Sequence, residues 1–167
     1  MGAFSTHLTS RLVRLALGAV LVICCAAAPA GSQGTPDIAV VAHPGVPTDN
    51  LSLAELRRIL LGDREFWPSG IRVTILIRAP IAPERDVVVR DVCRLTEAQF
   101  RQHWIAKVFR ADTPSGPKIV YSNEMALDQV ARIPGAITFV QMPVTSKSVK
   151  VLRIDGRAPG QTGYSLR

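Results

Sequence analysis

The chain contains little cysteine, with only three such residues among 167. Cys24 and Cys25 are adjacent in an apolar N-terminal segment, which leaves Cys93 alone in the remainder of the chain. If that segment is removed, no pair of cysteines is left, so an internal disulfide is excluded. Because a lone cysteine among apolar residues commonly behaves as a small hydrophobe, we expect Cys93 to be buried.

Histidine is equally scarce, and the three that occur are far apart in the sequence. Neither His43 nor His103 has a second ligand at the spacing of a metal site. No Cys–His or Ser–His–Asp motif can be assembled, and the acidic residues are too scattered to identify a catalytic pair. We therefore predict a protein that is not an enzyme, with no catalytic residue, no metal site and no cofactor.

Long runs of one charge are also missing. Twenty lysines and arginines against thirteen acidic residues give a net charge of +7, but the basic residues are dispersed along the chain. Without a basic run or a nucleic-acid-binding motif, we predict that nucleic acid is not a partner. The positive charge weakly favours anions or an anionic membrane surface.

The N-terminal uncharged run is too short for an ordinary membrane span. It covers residues 15–28, whereas a spanning helix needs about 20 residues. It follows Arg11 and Arg14 and leads into Ala28-Pro29-Ala30, whose small residues suit a signal peptidase. The pattern predicts a signal peptide at residues 1–30, cleaved near Ala30, and a periplasmic or secreted protein.

Two alternatives to ordinary cleavage remain open. The same run would serve as an uncleaved membrane anchor, or the chain would be lipidated at Cys24 or Cys25. Ordinary cleavage is favoured because Leu21-Val22-Ile23 lacks the small residue that usually precedes a lipidated cysteine. Cleavage would remove two arginines and no acid, which lowers the net charge to +5.

The rest of the chain alternates apolar strands with amphipathic helices. Val87, Val88 and Val89 make residues 84–93 ambiguous between strand and helix, although Pro83 favours a helix start. Strands are predicted at 38–42, 71–77, 118–121, 136–140 and 149–154, and helices at 52–61, 84–93, 96–109 and 124–132. This order implies an α/β protein of three layers, with helices on both sides of a sheet.

The predicted domain covers residues 38–156. Residues 31–37 are expected to form a flexible leader, and residues 157–167 a loose, polar C-terminal tail.

Capping boxes are predicted at Ser52 with Glu55 and at Thr96 with Gln99. The apolar stripe expected on the second of these helices is Phe100, Trp104, Ile105, Val108 and Phe109. The predicted core comprises Leu56, Leu60, Trp67, Ile75, Phe100, Trp104, Val130, Ile137 and Phe139.

Two segments of the sequence carry a family resemblance. The capped helix at residues 52–61 is followed by Gly62 and by the turn Trp67-Pro68-Ser69-Gly70, and Pro134-Gly135 opens a late buried strand ending at Val140. With these motifs, residues 38–154 resemble the phosphate-binding proteins of ABC importers, in the type II periplasmic solute-binding family. In the late motif Thr138 replaces the family's glycine and Phe139 its tyrosine.

The resemblance implies the three-layer α/β/α fold of one lobe of such a protein. Family members clamp their ligand between two lobes, and the resemblance here fits one lobe with its connecting segments. A single lobe cannot close on a ligand by itself. It would bind a ligand weakly at an open face, or work by docking to another protein.

The resemblance also implies one ligand-binding residue, Arg78. In the family an arginine after a strand precedes an Asp-Gly-Ser-Gly-Thr-like loop, which leads into a helix whose amides hold the anion. Arg78 follows the strand at 71–77, but the loop at residues 79–83 reads Ala-Pro-Ile-Ala-Pro and lacks both glycine and hydroxyl. The alternative is that Arg78 pairs with Glu84 or Asp86.

Two functions follow from these expectations. The first is an exported solute-binding-like protein that binds phosphate or another small anion weakly and presents it to a membrane permease or sensor. The alternative is an interaction module without a ligand, accessory to an envelope transporter, receptor or sensor kinase.

Overall fold

The structure is a computed structural model, which describes residues 36–167. The predicted signal peptide and most of the predicted leader therefore lie outside the described residues. The elements follow in the order β1 (Ile38–Ala42), β2 (Asn50–Leu51), α1 (Leu53–Leu60), β3 (Thr74–Arg78), α2 (Pro83–Val87) with a π-helical continuation (Val88–Val92), α3 (Glu97–Phe109), β4 (Lys118–Val120), α4 (Asn123–Arg132), β5 (Ala136–Gln141), β6 (Lys150–Val151) and β7 (Arg153–Ile154).

Five strands form the central sheet in the order β4-β3-β5-β1-β6. Strand β3 runs parallel to β4 and β5, whereas β1 is antiparallel to β5 and β6. Strands β2 and β7 form a separate parallel pair. No helix of residues 36–167 is both long enough and apolar enough to cross a membrane.

The sheet is covered on both faces, which confirms the predicted three-layer α/β fold. On one face, Val40 and Phe139 of the sheet pack in a cluster with residues of α1, α2 and α3. On the other, Val41 and Val140 pack in a cluster with α4. Because successive side chains of a strand point to opposite faces, β1 and β5 supply both clusters.

Both predicted capping boxes are present. The Ser52 hydroxyl accepts from the Glu55 N–H, and the Glu55 carboxylate accepts from the Ser52 N–H. Thr96 and Gln99 form the same reciprocal pair at the start of α3. The ambiguous segment at 84–93 is helical, and its valines face the core in a π-helical turn.

The two segments that carry the resemblance meet in the core. The buried Trp67 indole N–H donates to the Gly135 carbonyl at 2.9 Å. Gly135 has a φ of 77°, and a Cβ there would overlap the Arg72 carbonyl oxygen, so only glycine fits this turn. The tryptophan and the Pro-Gly turn are therefore parts of one structural device.

Three expectations about the elements were wrong in detail. The strand predicted at 71–77 begins at Thr74, because the Ile71 carbonyl accepts from the Trp67 N–H and closes a turn. The strand predicted at 149–154 is divided, since Leu152 bonds to Val40 but Arg153 bonds to Asp49 and joins the small sheet. In the predicted core, Ile75 is only partly buried.

The C-terminal residues are not a loose tail. Tyr164 and Leu166 are buried in the main cluster. The Tyr164 hydroxyl donates to the Ile38 carbonyl at 2.8 Å, and the Ile38 N–H donates to the Leu166 carbonyl at 3.0 Å. These contacts fasten the C-terminus along the start of β1, and two apolar side chains in an otherwise polar segment make this possible.

Candidate functional site

Arg78 is the last residue of β3, at the carboxyl end of a strand with parallel neighbours on both sides. Its guanidinium Nε donates to Glu84 Oε1 at 2.6 Å, and its Nη1 donates to the Val120 carbonyl at 3.4 Å. Only 9% of Arg78 and 3% of Glu84 are exposed. The guanidinium is therefore held inside the protein by an internal carboxylate.

A second buried arginine, Arg85, binds at the same end of β3. Arg85 Nη1 donates to the Arg78 carbonyl at 2.7 Å, and its other nitrogens donate to the two Glu97 oxygens at 2.9 and 2.8 Å. The Arg85 guanidinium also lies 5.6 Å from the centre of the Phe100 ring. Two arginines and two glutamates thus neutralise each other across β3, α2 and α3.

The turn between β3 and α2 has few N–H groups available for an anion. Pro80 and Pro83 have none, and Ala79 and Ala82 donate theirs to the carbonyls of Val120 and Ala79. Within residues 79–83 this leaves the N–H of Ile81 alone. The helix itself begins without a side-chain cap.

Of the two carboxylates proposed from sequence as partners of Arg78, the structure selects Glu84. Asp86 lies two residues further along α2, is exposed and makes no ion pair among the described residues. Sequence spacing could not separate the two, because either is within reach of a flexible arginine. The direction in which α2 leaves the turn decides between them.

The other large concavity is an apolar groove of about 470 Å³ between α3 and β4. The outer half of the predicted α3 stripe lines this groove, with Ile105, Val108 and Phe109 exposed by 53%, 42% and 91%. Of the stripe, the structure buries Phe100 and Trp104, the two residues that belong to the predicted core, and leaves the other three at the surface. The opposite wall is formed by Ile119 of β4, which is 47% exposed.

A smaller cleft of about 250 Å³ includes residues at the start of β3 and β4. Its arginines are already engaged: Arg72 pairs with Glu65 at 3.1 Å, and Arg64 pairs with Glu55 at 3.5 Å. Arg64 also lies over the Trp67 ring. These contacts neutralise both arginines, and the remaining cation of the cleft, Lys118, makes no ion pair among the described residues.

The histidines and Cys93 have structural contacts in the described region. His103 Nε2 lies 2.8 Å from the Leu61 carbonyl, and Lys107 donates to the Gly62 carbonyl at 2.9 Å, so α3 side chains cap the end of α1. Cys93 is fully buried, and burial raises the pKa of its thiol to about 12. Within residues 36–167 no three His, Cys, Asp or Glu residues are grouped as metal ligands.

No protein-family profile matches the chain, and no curated protein matches it in sequence. Solved structures do match it in fold. PstS from Borrelia burgdorferi superposes with a TM-score of 0.63 at 13% identity, over 78% of this chain and 54% of its own. An ABC-type phosphate transport receptor from Vibrio cholerae gives 0.59 at 20% identity, over 74% and 48%. A phosphate-binding protein from Stenotrophomonas maltophilia gives 0.58 at 13% identity, over 75% and 40%.

These similarities confirm the predicted likeness in fold to phosphate-importer binding proteins. The chain spans about half the length of the structures it matches, in agreement with a single-lobe form. The neighbours are described as binding or transport proteins and not as enzymes.

Proposed function

We propose that this chain is an exported, non-catalytic module with the fold of one solute-binding lobe, and that it acts by docking to an envelope protein. The observation that supports this function is the pairing of buried Arg78 with buried Glu84. In this proposal Glu84 takes the position at the end of β3 that a ligand anion would otherwise occupy. The resemblance to phosphate-binding proteins then describes the scaffold and not the ligand.

The free energy of the site favours the Arg78–Glu84 ion pair over the binding of an anion to Arg78. A phosphate would have to displace a carboxylate 2.6 Å from Arg78 that is already buried with it. The approaching anion would lose its hydration and gain few amides in return, because the turn is rich in proline. An anion held at the open surface would gain only about 1 kcal/mol or less from an exposed ion pair.

Weak binding of phosphate or another small anion is the second candidate. It is favoured by the position of Arg78 at the carboxyl end of a parallel strand, where open α/β sheets commonly bind ligands. In this case a membrane permease or sensor would be the partner that receives the loaded lobe.

Calorimetric titration of the full chain with phosphate and with sulfate separates the two candidates. Docking without a ligand predicts no saturable heat and an unchanged melting temperature. Ligand at a hundredfold excess over its Kd would instead stabilise the fold by about 2.7 kcal/mol. Saturable binding that Arg78→Gln abolishes and the matched surface variant Arg101→Gln retains would overturn the proposal.

Export is part of the same proposal. The short uncharged run after Arg11 and Arg14 and the Ala28-Pro29-Ala30 sequence support cleavage near Ala30. Mass spectrometry of the protein recovered from the envelope fraction should give a mature N-terminus at Gly31. Retention of residues 1–30 would favour the anchored alternative, and a lipid on Cys24 or Cys25 would favour lipidation.

A further inference from the structure

The apolar groove between α3 and β4 lies beside an open sheet edge. Strand β4 is the outermost strand of the five-stranded sheet, and within residues 36–167 it pairs only with β3. The groove exposes large apolar side chains from both of its walls. An exposed apolar surface beside an unpaired edge strand suits the addition of an extended segment.

The two exposed residues of β4 differ in chemistry and face opposite sides. Ile119 lines the groove, whereas Lys118 lines the smaller cleft. Successive side chains of a strand point to opposite faces, and an added strand keeps this alternation. An incoming segment would therefore place every second side chain beside Ile119 and the others beside Lys118.

The charges of the described residues favour acidic side chains on the Lys118 side. Lys118 makes no ion pair among the described residues, whereas Arg64 and Arg72 beside it are paired with glutamates. Arg101, which also makes no ion pair, lines the groove on the opposite side. The glutamate of the groove, Glu97, is already bound by Arg85 through both oxygens. The uncompensated charge around β4 is therefore positive and would attract carboxylates.

The chain itself offers no matching segment. Residues 1–35 contain Arg11 and Arg14 but no acidic residue. No stretch of the sequence alternates apolar and acidic residues: the two pairs of acids spaced two apart, Asp63 with Glu65 and Glu84 with Asp86, each enclose an arginine. This sequence therefore does not supply the complementary segment.

We propose that β4 and the apolar groove bind an extended segment of a partner protein in which apolar and acidic side chains alternate. The apolar side chains pack between Ile119 and the outer face of α3, and the carboxylates lie beside Lys118. This inference rests on the proposed docking function and names the surface and the chemistry of the partner.

Fluorescence anisotropy with labelled peptides tests the inference on the full chain. The probe is an eight-residue peptide in which leucine or valine alternates with glutamate, and its control replaces every glutamate with lysine. We expect saturable binding of the glutamate peptide that weakens with added salt, and at least tenfold weaker binding of the lysine peptide, about 1.4 kcal/mol.

Matched variants identify the surface. Val108→Ser should weaken binding of the glutamate peptide by about tenfold or more. Ile81→Ser is the control and should leave binding unchanged, because Ile81 is 95% exposed and does not line the groove. Lys118→Glu should reverse the preference between the two peptides, whereas Lys147→Glu, at another exposed lysine, should keep it. Melting curves establish that each variant is folded.

Several outcomes would overturn the inference. These are no binding of either peptide, equal binding of both, an unchanged preference in Lys118→Glu, or self-association of the chain that Phe109→Ser removes. If calorimetry shows no phosphate binding, such a result would contradict the proposed peptide binding at the groove but not the proposed docking function. Phosphate binding through Arg78 would overturn the function itself.

Discussion

Arg78 and Glu84 form the pair on which the interpretation of the candidate site depends. Both side chains are largely buried, and their contact is short. Removing one partner of a buried ion pair leaves an uncompensated charge, which costs about 3–5 kcal/mol. The pair is therefore expected to matter for folding more than an exposed pair would.

The first prediction concerns Glu84. Glu84→Ala should lower the free energy of unfolding by about 3 kcal/mol, because the Arg78 guanidinium loses its anionic partner. Added phosphate or sulfate should restore part of the melting temperature by entering the vacated place. Asp91→Ala, which removes the partner of the exposed Arg90, is the control and should show neither effect.

A Glu84→Ala protein as stable as the parent would contradict this description of the corner. So would an anion effect of equal size in parent and variant, which would indicate general binding to a positive surface.

Cys93 gives the second prediction at this scale. Burial raises the pKa of its thiol from 9.0 to about 12. At pH 9 about a thousandth of the folded molecules would carry the thiolate, so alkylation by iodoacetamide should be very slow until denaturant is added. The Cys93 thiol therefore contributes fully to the free energy of unfolding below pH 9. This contribution falls as the pH rises above 9, because the thiol of the unfolded chain ionises first.

Rapid alkylation of Cys93 in the folded protein at pH 8, taken as the difference from Cys93→Ala, would place this residue at the surface and contradict its burial. Cys93→Ala serves as the blank for the reaction.

At the scale of elements, α3 shows what sequence periodicity can and cannot predict. Its start was predictable, because the Thr96 and Gln99 capping box is a local signal. Its inward face was predictable only in part. Periodicity identifies residues that share a stripe, but the reach of the neighbouring elements decides how much of the stripe is covered. Here the cover includes Phe100 and Trp104 and excludes Ile105, Val108 and Phe109.

Trp104 and Ile105 therefore make a matched pair of substitutions. Trp104→Ala should cost about 3–5 kcal/mol, the usual range for a large buried aromatic. Its ring also lies against Gly62, which has a φ of 70° at the end of α1. Ile105→Ala should change the free energy of unfolding by less than about 1 kcal/mol, since that side chain is half exposed.

Denaturant unfolding of the two variants checks this prediction. A small effect at Trp104 would mean that α3 is rotated relative to the core, and a large effect at Ile105 would mean that the groove is filled in solution.

Other elements divide in the same way between local and tertiary causes. Residues 84–93 were ambiguous by composition and were assigned to a helix because of Pro83 and the family resemblance, whereas the bounds of β1 followed from composition. The division of the last strand did not, because it depends on a hydrogen bond from Leu152 to the distant β1. The π-helical turn likewise depends on how the valines meet the core and has no local signature.

For the whole molecule, the single-lobe fold was predictable from the sequence, whereas the pairing of Arg78 with Glu84 was not. The motifs around Trp67 and Gly135 predicted the fold because they are parts of its core. Arg78 was placed at the predicted end of the sheet, but its partner could be seen only after α2 had been oriented. The C-terminal segment was underestimated because Tyr164 and Leu166 are too few to form a periodic pattern.

The central claim is that the Arg78 guanidinium is bound by the Glu84 carboxylate and therefore does not bind an external anion. The most direct measurement is the nitrogen–proton NMR signal of Arg78 Nε, followed while phosphate is added to the full chain. The account predicts a slowly exchanging signal that phosphate in hundredfold molar excess over protein does not move, and that Glu84→Gln shifts. A saturable phosphate-dependent shift of this signal, together with the amides of residues 81–85, would contradict it.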